Sequence, residues 1–372
     1  MPEATAAVDL PVAMLAELTH RCPMRCAYCS NPLALDDPQA ELTTAEWKDV
    51  LEQAAALGVM QVHFSGGEPT ARQDLAELVA HAAGLGLYTN LITSGVLLDA
   101  GKVRALAAAG LEHVQLAFQD SDAAGVDVVG GWSGALAKKR AVAGLVKEAG
   151  LALTANLVIT RHNAARVGAM LDMALDLGCE RAEVANVQYY GWGLLNRAAL
   201  MPSKAQLAAM TPVVRERQER YRGRMVIDYV IPDYHARRPK ACMGGWARRF
   251  LNVTPTGKVL PCHAAETIPH LPVETVRQRP LRDIWLHGAA FEAYRGEAWM
   301  PAGCRSCDRK EIDWGGCRCQ ALALAGDAAA MDPACELSPH HAAMAETAEQ
   351  EAQAGGTRFV YRAFGPHKHS TF

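Results

Sequence analysis

The sequence predicts an α/β protein: six successive strand–helix units in an open, partial barrel or a doubly wound sheet, followed by a smaller cysteine-rich domain. Three observations carry this. Residues 10–231 alternate short apolar runs with stretches of helical spacing. Beyond Tyr229 the chain turns rich in Pro, Gly, Cys and Trp. Its eleven cysteines cluster, three at 22–29 and seven at 242–335, with Cys179 alone.

The strands are expected at Val12–Leu18, Val59–Phe64, Leu87–Ile92, His113–Phe118, Leu151–Ile159 and Glu183–Gln188. The first helix carries Trp47, Val50, Leu51, Ala54 and Leu57 on one face. It opens with Thr43 and Glu46 in capping-box spacing and stops at Gly58. A second carries Leu75, Leu78, Val79 and Ala82. Ser133 and Asn163 are expected to cap two later helices. Two units are missing for a closed eight-unit barrel. The expected organisation is a tail at 1–9, a partial barrel at 10–231, a cysteine-rich domain at 232–340 and a mobile tail at 341–372.

Half of the 372 residues are hydrophobic, enough for a sizeable core, and the net charge of −3 gives no sign of a nucleic-acid partner. The N-terminus lacks a basic, apolar leader, and no apolar run is long enough to span a bilayer, so no membrane role and a cytoplasmic location are expected. Disulfides are disfavoured there. Clustered thiols then point to metal.

Cys22, Cys26 and Cys29 follow the first strand directly, at the sheet edge where such folds place their chemistry. They supply three thiolates where a four-iron cluster takes four, and no fourth cysteine is near. One iron is then open to an outside ligand. A zinc site using His20 is the plainer alternative, but structural zinc loops pair their cysteines differently. The second strand ends in Gly66-Gly67-Glu68-Pro69, a turn whose glycines allow close backbone approach. The third ends in Thr93-Ser94.

These motifs resemble the radical S-adenosylmethionine (SAM) enzymes. The resemblance implies a partial (β/α)6 radical-SAM barrel with a [4Fe–4S] cluster on Cys22, Cys26 and Cys29. It also implies a cofactor site at Tyr28, Gly66, Gly67, Glu68, Pro69, Thr93 and Ser94. A serine frequent at the end of the fourth strand in that family is Ala117 here, which leaves Gln119 and Asp120 as weak candidates. The later cysteines resemble the SPASM domain, which holds two auxiliary iron–sulfur clusters. That likeness implies Cys242, Cys262 and Cys317 for the first, completed by the additional Cys319. It implies Cys304, Cys307 and Cys335 for the second, with Asp313 standing where a cysteine is usual. One auxiliary cluster is expected to be [4Fe–4S], and a [2Fe–2S] centre is plausible at Cys317 and Cys319.

The likeness extends from Val12 to Cys335 and is greatest to the radical peptide cyclases of pyrroloquinoline quinone biosynthesis, which share Gln188–Trp192 and the aspartate. It implies a carbon–carbon link between a Glu γ-carbon and a Tyr ring in the precursor peptide PqqA. PqqD would present the peptide, a flavodoxin-type donor would supply electrons, and an auxiliary cluster would accept the electron released by the ring. The base for the ring proton is not identifiable. Tyr189, Tyr190 and Trp192 either contact substrate or cap the barrel. Alternatives are another SPASM peptide maturase, sulfatase-maturing or thioether-forming, and a non-catalytic iron–sulfur electron carrier.

Overall fold

The computed structural model of the chain describes residues 8–354 and 358–362. The six expected strands form: β1 Ala13–Glu17, β2 Gln61–Ser65, β3 Tyr88–Thr93, β4 His113–Phe118, β5 Ala152–Ile159 and β6 Arg181–Asn186. Three short ones join them: β7 Val226–Tyr229, β8 Phe250–Val253 and β9 Val259–Leu260. The sheet order is β7-β6-β5-β4-β3-β2-β1-β8-β9. From β1 to β7 every neighbour is parallel and sequential. Crossovers of one hand then place the helices on a single face, so the sheet is an open partial barrel. A doubly wound sheet would reverse its order.

The helix-covered face holds Val62, Phe64, Leu91, Val114, Leu116, Phe118 and Leu157, each almost fully buried. The opposite face is polar. His63 meets Asn90 at 2.9 Å, His113 meets Thr154 at 2.8 Å and Gln115 meets Glu183 at 2.7 Å. The capping box at Thr43 and Glu46 forms as expected, and Gly58 adopts φ +107° at the helix end.

Four expectations change. Ser133 is not an N-cap: helix Ala135–Glu148 starts after Gly134, which has a left-handed backbone. Asn163 does not cap a helix with its side chain. Its amide nitrogen instead donates to the Gln119 and Val158 carbonyls at 2.7 and 2.8 Å, tying the ends of β4 and β5 together. The cysteine-rich region is continuous with the sheet, because β8 pairs in parallel with β1, Ala13 to Ala16 against Phe250 to Val253. Residues 341–372 are not wholly a tail. Helix His341–Ala354 buries Met344 and Ala348 beside Tyr234 and Met201, and Arg197 pairs with Glu351 at 2.7 Å.

Candidate cofactor and cluster sites

β1 delivers the chain to a loop carrying Cys22, Cys26 and Cys29, all half-buried. The β2 turn grips this loop through its backbone: Gly67 N donates to Thr19 O at 2.6 Å and Glu68 N to Arg21 O at 2.8 Å. Here the paired glycines have a specific cause. Gly66 sits at φ +126°, and a Cβ on it would lie 2.4 Å from Thr19 O. One on Gly67 would lie 2.6 Å from the carbonyl oxygens of His20 and Arg21. The space a side chain would need is filled by the cysteine loop itself. On the other side, Arg25 N and Ala27 N donate to Gly130 O and Val129 O, both at 2.9 Å.

Glu68 is fully buried and hydrogen-bonded throughout. Its carboxylate accepts from Thr70 N at 3.2 Å, Thr70 Oγ1 and Thr93 Oγ1 at 2.6 Å, Ser94 N at 2.8 Å and Ser94 Oγ at 2.5 Å. This one side chain therefore locks Thr93 and Ser94 to the glycine turn, while Pro69 opens a buried 3-10 turn behind it. Tyr28 accepts at its hydroxyl from Gln119 Nε2 at 2.6 Å. Gln119 Oε1 in turn accepts from Lys139 Nζ at 2.9 Å, and Lys139 also donates to Ala117 O at 2.6 Å. Gln119 thus faces the cysteine loop. Asp120 is fully buried and turns away to Arg166.

Sequence reading missed Lys139, which the Lys138-Lys139-Arg140 run on an amphipathic helix does not set apart from its neighbours. It is completely buried, and burial lowers its pKa to about 8 against the opposing pull of Cys26, Glu68 and Cys22. Burial, then repulsion from Cys29, pushes Cys26 up to about 11, and burial raises Cys22 and Cys29 as well. Three crowded, desolvated thiols ionise only against compensating positive charge. That donor set, with no fourth cysteine beside it, fits a cluster with one open iron. No three Cys, His, Asp or Glu side chains converge at single-ion distance among the described residues. His20, which a zinc site would recruit, instead accepts from Asp36 N at 3.0 Å through Nδ1.

In the cysteine-rich region, Cys242, Cys262, Cys317 and Cys319 meet. Their closeness couples their ionisation, pushing the Cys242 and Cys319 thiols up and the Cys262 and Cys317 thiols down. Cys317 also caps helix Arg318–Ala325, its sulfur accepting from Gln320 N at 3.4 Å. Four neighbouring thiols, too spread for a single ion, fit a multinuclear cluster. Cys304, Cys307, Asp313 and Cys335 line one small cavity together with Asp332. Asp313 is buried, and its Oδ1 accepts from Gly315 N at 3.2 Å.

Asp332, also unforeseen, links these two groups. Its carboxylate accepts from Cys317 N at 2.6 Å and from Gln320 Nε2 and Ala334 N at 2.9 Å. Burial, then the nearby Cys317, raises its pKa to about 7. A Cβ on Gly316 would lie 2.2 Å from Asp332 Oδ2, so a glycine there lets this carboxylate reach the loop. Cys179 lies buried in the main core.

Between the sheet edge and the four-thiol group lies a cavity of about 700 Å³. Tyr189, Tyr190, His263, Cys242, Cys262 and Cys317 contribute to its wall. Tyr190 and Gln188 both hydrogen-bond His263. Tyr189 and Tyr190 therefore face open space, whereas Trp192 is buried and packs the fold.

Residues 16–174 match the radical SAM superfamily and residues 242–308 an iron–sulfur cluster-binding domain. A PqqA peptide cyclase of Xanthomonas campestris pv. campestris is 59% identical over 355 residues, covering 95% of this chain and 94% of that protein. One from Methylobacterium nodulans is 57% identical over 370 residues, covering 98% and 97%. Among solved structures, Streptococcus suis SuiB bound to its precursor peptide SuiA shares the fold at TM-score 0.69 and 18% identity, covering 88% of this chain and 76% of that one. The enzyme anSMEcpe with bound AdoMet shares it at TM-score 0.61 and 15% identity, covering 93% of each chain. With its cysteine loop at the edge of an open parallel sheet and a second thiol-rich region on the same sheet, this chain belongs to the PqqA peptide cyclases, radical SAM enzymes with a SPASM domain.

Proposed function

We propose that this enzyme joins a Glu γ-carbon to a Tyr ring carbon, ortho to the hydroxyl, within the precursor peptide PqqA. The observation that carries the reading is the 700 Å³ cavity, walled on one side by the sheet edge and on the other by the four-thiol group. Cys22, Cys26 and Cys29 would hold the radical-generating cluster. Cys242, Cys262, Cys317 and Cys319 would hold the first auxiliary cluster, and Cys304, Cys307, Asp313 and Cys335 the second.

Held there, the cluster and SAM would supply the radical chemistry able to remove one hydrogen atom from the Glu γ-carbon. After the carbon–carbon bond forms, the ring must lose one proton and one electron to regain aromaticity. Cys242, Cys262, Cys317 and Cys319 stand in the cavity wall where that electron would leave. Lys139 and the Glu68 network fix the loops around the thiolates, and Tyr28, Thr93 and Ser94 are the polar groups presented at that edge. Tyr189 and Tyr190 give the cavity aromatic walls for the peptide's ring. In this reading residues 10–231 generate the radical and 232–340 manage the electron. PqqD presents the peptide, a flavodoxin-type donor reduces the enzyme, and the reaction runs in the cytoplasm. Among the described residues no helix is long and apolar enough to cross a membrane.

Mass spectrometry of PqqA after anaerobic incubation with reductant, PqqD and SAM tests this. Loss of two hydrogens, with fragments linking Glu to Tyr, is the expected result. A peptide of unchanged mass alongside 5′-deoxyadenosine formation refutes the substrate assignment.

A further inference from the structure

Residues 358–362 lie across the cysteine loop, and each of four successive side chains or backbone groups is anchored. Phe359 packs in a cluster with Tyr28, Val158, Val187 and Leu200, and its ring stands edge-on to His162 with centroids 5.3 Å apart. Val360 is bracketed by one side chain: its N–H donates to Asn196 Oδ1 at 2.7 Å, and its carbonyl accepts from Asn196 Nδ2 at 2.8 Å. Tyr361 donates from its hydroxyl to Val128 O at 2.7 Å. The strap therefore touches the ends of β5 and β6, the chain before helix Arg197–Leu200 and the helix that includes Val128.

Arg362 then turns inward. It is 2% exposed, although its neighbours Val360 and Tyr361 are 54% and 38% exposed. Its guanidinium donates to the His20 carbonyl, two residues before Cys22. It also acts electrostatically on Cys22 and His20. An arginine stays charged at any working pH, and a buried charge is tolerated where opposite charge or strong acceptors face it. Lys139 approaches the same thiols from the β4 side, acting on Cys26 and Cys22. Two buried cations thus flank three sulfurs.

We propose that Arg362 is a positioning residue for radical generation: it orients the cysteine loop and favours one-electron reduction of the cluster held by Cys22, Cys26 and Cys29. This rests on the assignment of those three cysteines as ligands. Reduction adds one negative charge to the cluster, and a buried cation fixed on the His20 carbonyl of the same loop stabilises that charge in a region of low dielectric.

The test uses the full chain, reconstituted anaerobically, with EPR-monitored redox titration. The relevant signal is the one perturbed by added SAM. R362Q is expected to shift the ratio of reduced to oxidised cluster about tenfold toward the oxidised form at a fixed potential, about 59 mV for a one-electron couple. R362K should recover most of the shift, and the auxiliary signals should stay in place. An unchanged midpoint in R362Q with full iron content overturns the proposal. Equal loss of this cluster's iron in R362Q and R362K also overturns it, because the arginine is then only a loop anchor. A C22A/C26A/C29A variant that keeps the SAM-sensitive signal overturns the ligand assignment itself, independently of the arginine.

Discussion

The cysteine loop and the four-thiol group both crowd sulfur atoms, but they relieve the crowding differently. Around Cys22, Cys26 and Cys29 the relief is external: Lys139 and Arg362 bring buried positive charge to thiols that burial otherwise keeps protonated. Around Cys242, Cys262, Cys317 and Cys319 it comes from adjoining backbone: Ala264 N donates to Cys262 Sγ and Gln320 N to Cys317 Sγ, both at 3.4 Å, while Cys319 Sγ donates to Ala264 O at 3.2 Å. In the proposed function the first set would leave a coordination position for a cofactor, and the second would close a site suited to storing or passing an electron.

The sharpest way to break this contrast is to remove a sulfur from each site. C22A should abolish 5′-deoxyadenosine formation, read by chromatography, while the iron bound in the C-terminal region remains. C319A should leave 5′-deoxyadenosine formation measurable yet cut cross-linked peptide. Equal loss of both products in both variants would erase the distinction.

Next in size is Asp332. D332A leaves three donors without their acceptor in a buried loop. A loss of about 3 kcal/mol in unfolding free energy is expected, with iron lost from the C-terminal sites. Denaturant melts with iron counting read both, and retention of full iron would show that the carboxylate does not link the two thiol groups.

Glu68 probes the other side. E68Q places an amide against the Thr70, Thr93 and Ser94 donors. A 10–100-fold drop in kcat/KM for SAM is expected, about 1.4–2.7 kcal/mol, with the C-terminal iron unchanged. Steady-state 5′-deoxyadenosine assays decide it.

The smallest effect concerns the seam between the regions. Burial, partly countered by Asn252 on β8, raises the Glu17 carboxyl to about 8. The folded chain therefore holds this proton from roughly pH 4.3, where an unfolded Glu releases it, up to about 8. Stability should fall as pH rises through that window. E17Q removes the dependence: the two proteins should melt alike below about pH 4 and differ by about 1 kcal/mol or more in favour of Gln at pH 8. Parallel melting curves at every pH would discard the idea.

Much of this contrast was legible in the sequence. Six strands announced themselves as apolar runs, and spacing alone grouped the thiols. What escaped depends on tertiary contact. β7, β8 and β9 have four, four and two residues, too few to show alternation. Lys139, Asp332 and Arg362 are ordinary charges until the fold buries them beside sulfur. Helix His341–Ala354 looked like a tail because few of its residues face inward, Met344 and Ala348 among them. The reason for Gly66 and Gly67 was legible only as a general freedom. The structure makes it an obligation, set by the carbonyls of residues 19 to 21.

The β1–β8 ladder has a mechanical meaning. β1 feeds the cysteine loop, and the β8–β9 hairpin leads within two residues to Cys262. The two sulfur sites are thus mounted on strands two spacings apart, about 10 Å, in one hydrogen-bonded sheet. That sheet acts as a ruler. The spacing of the two supporting strands is set by the β1–β8 and β8–β9 backbone hydrogen bonds, independently of the side chains that wall the cavity.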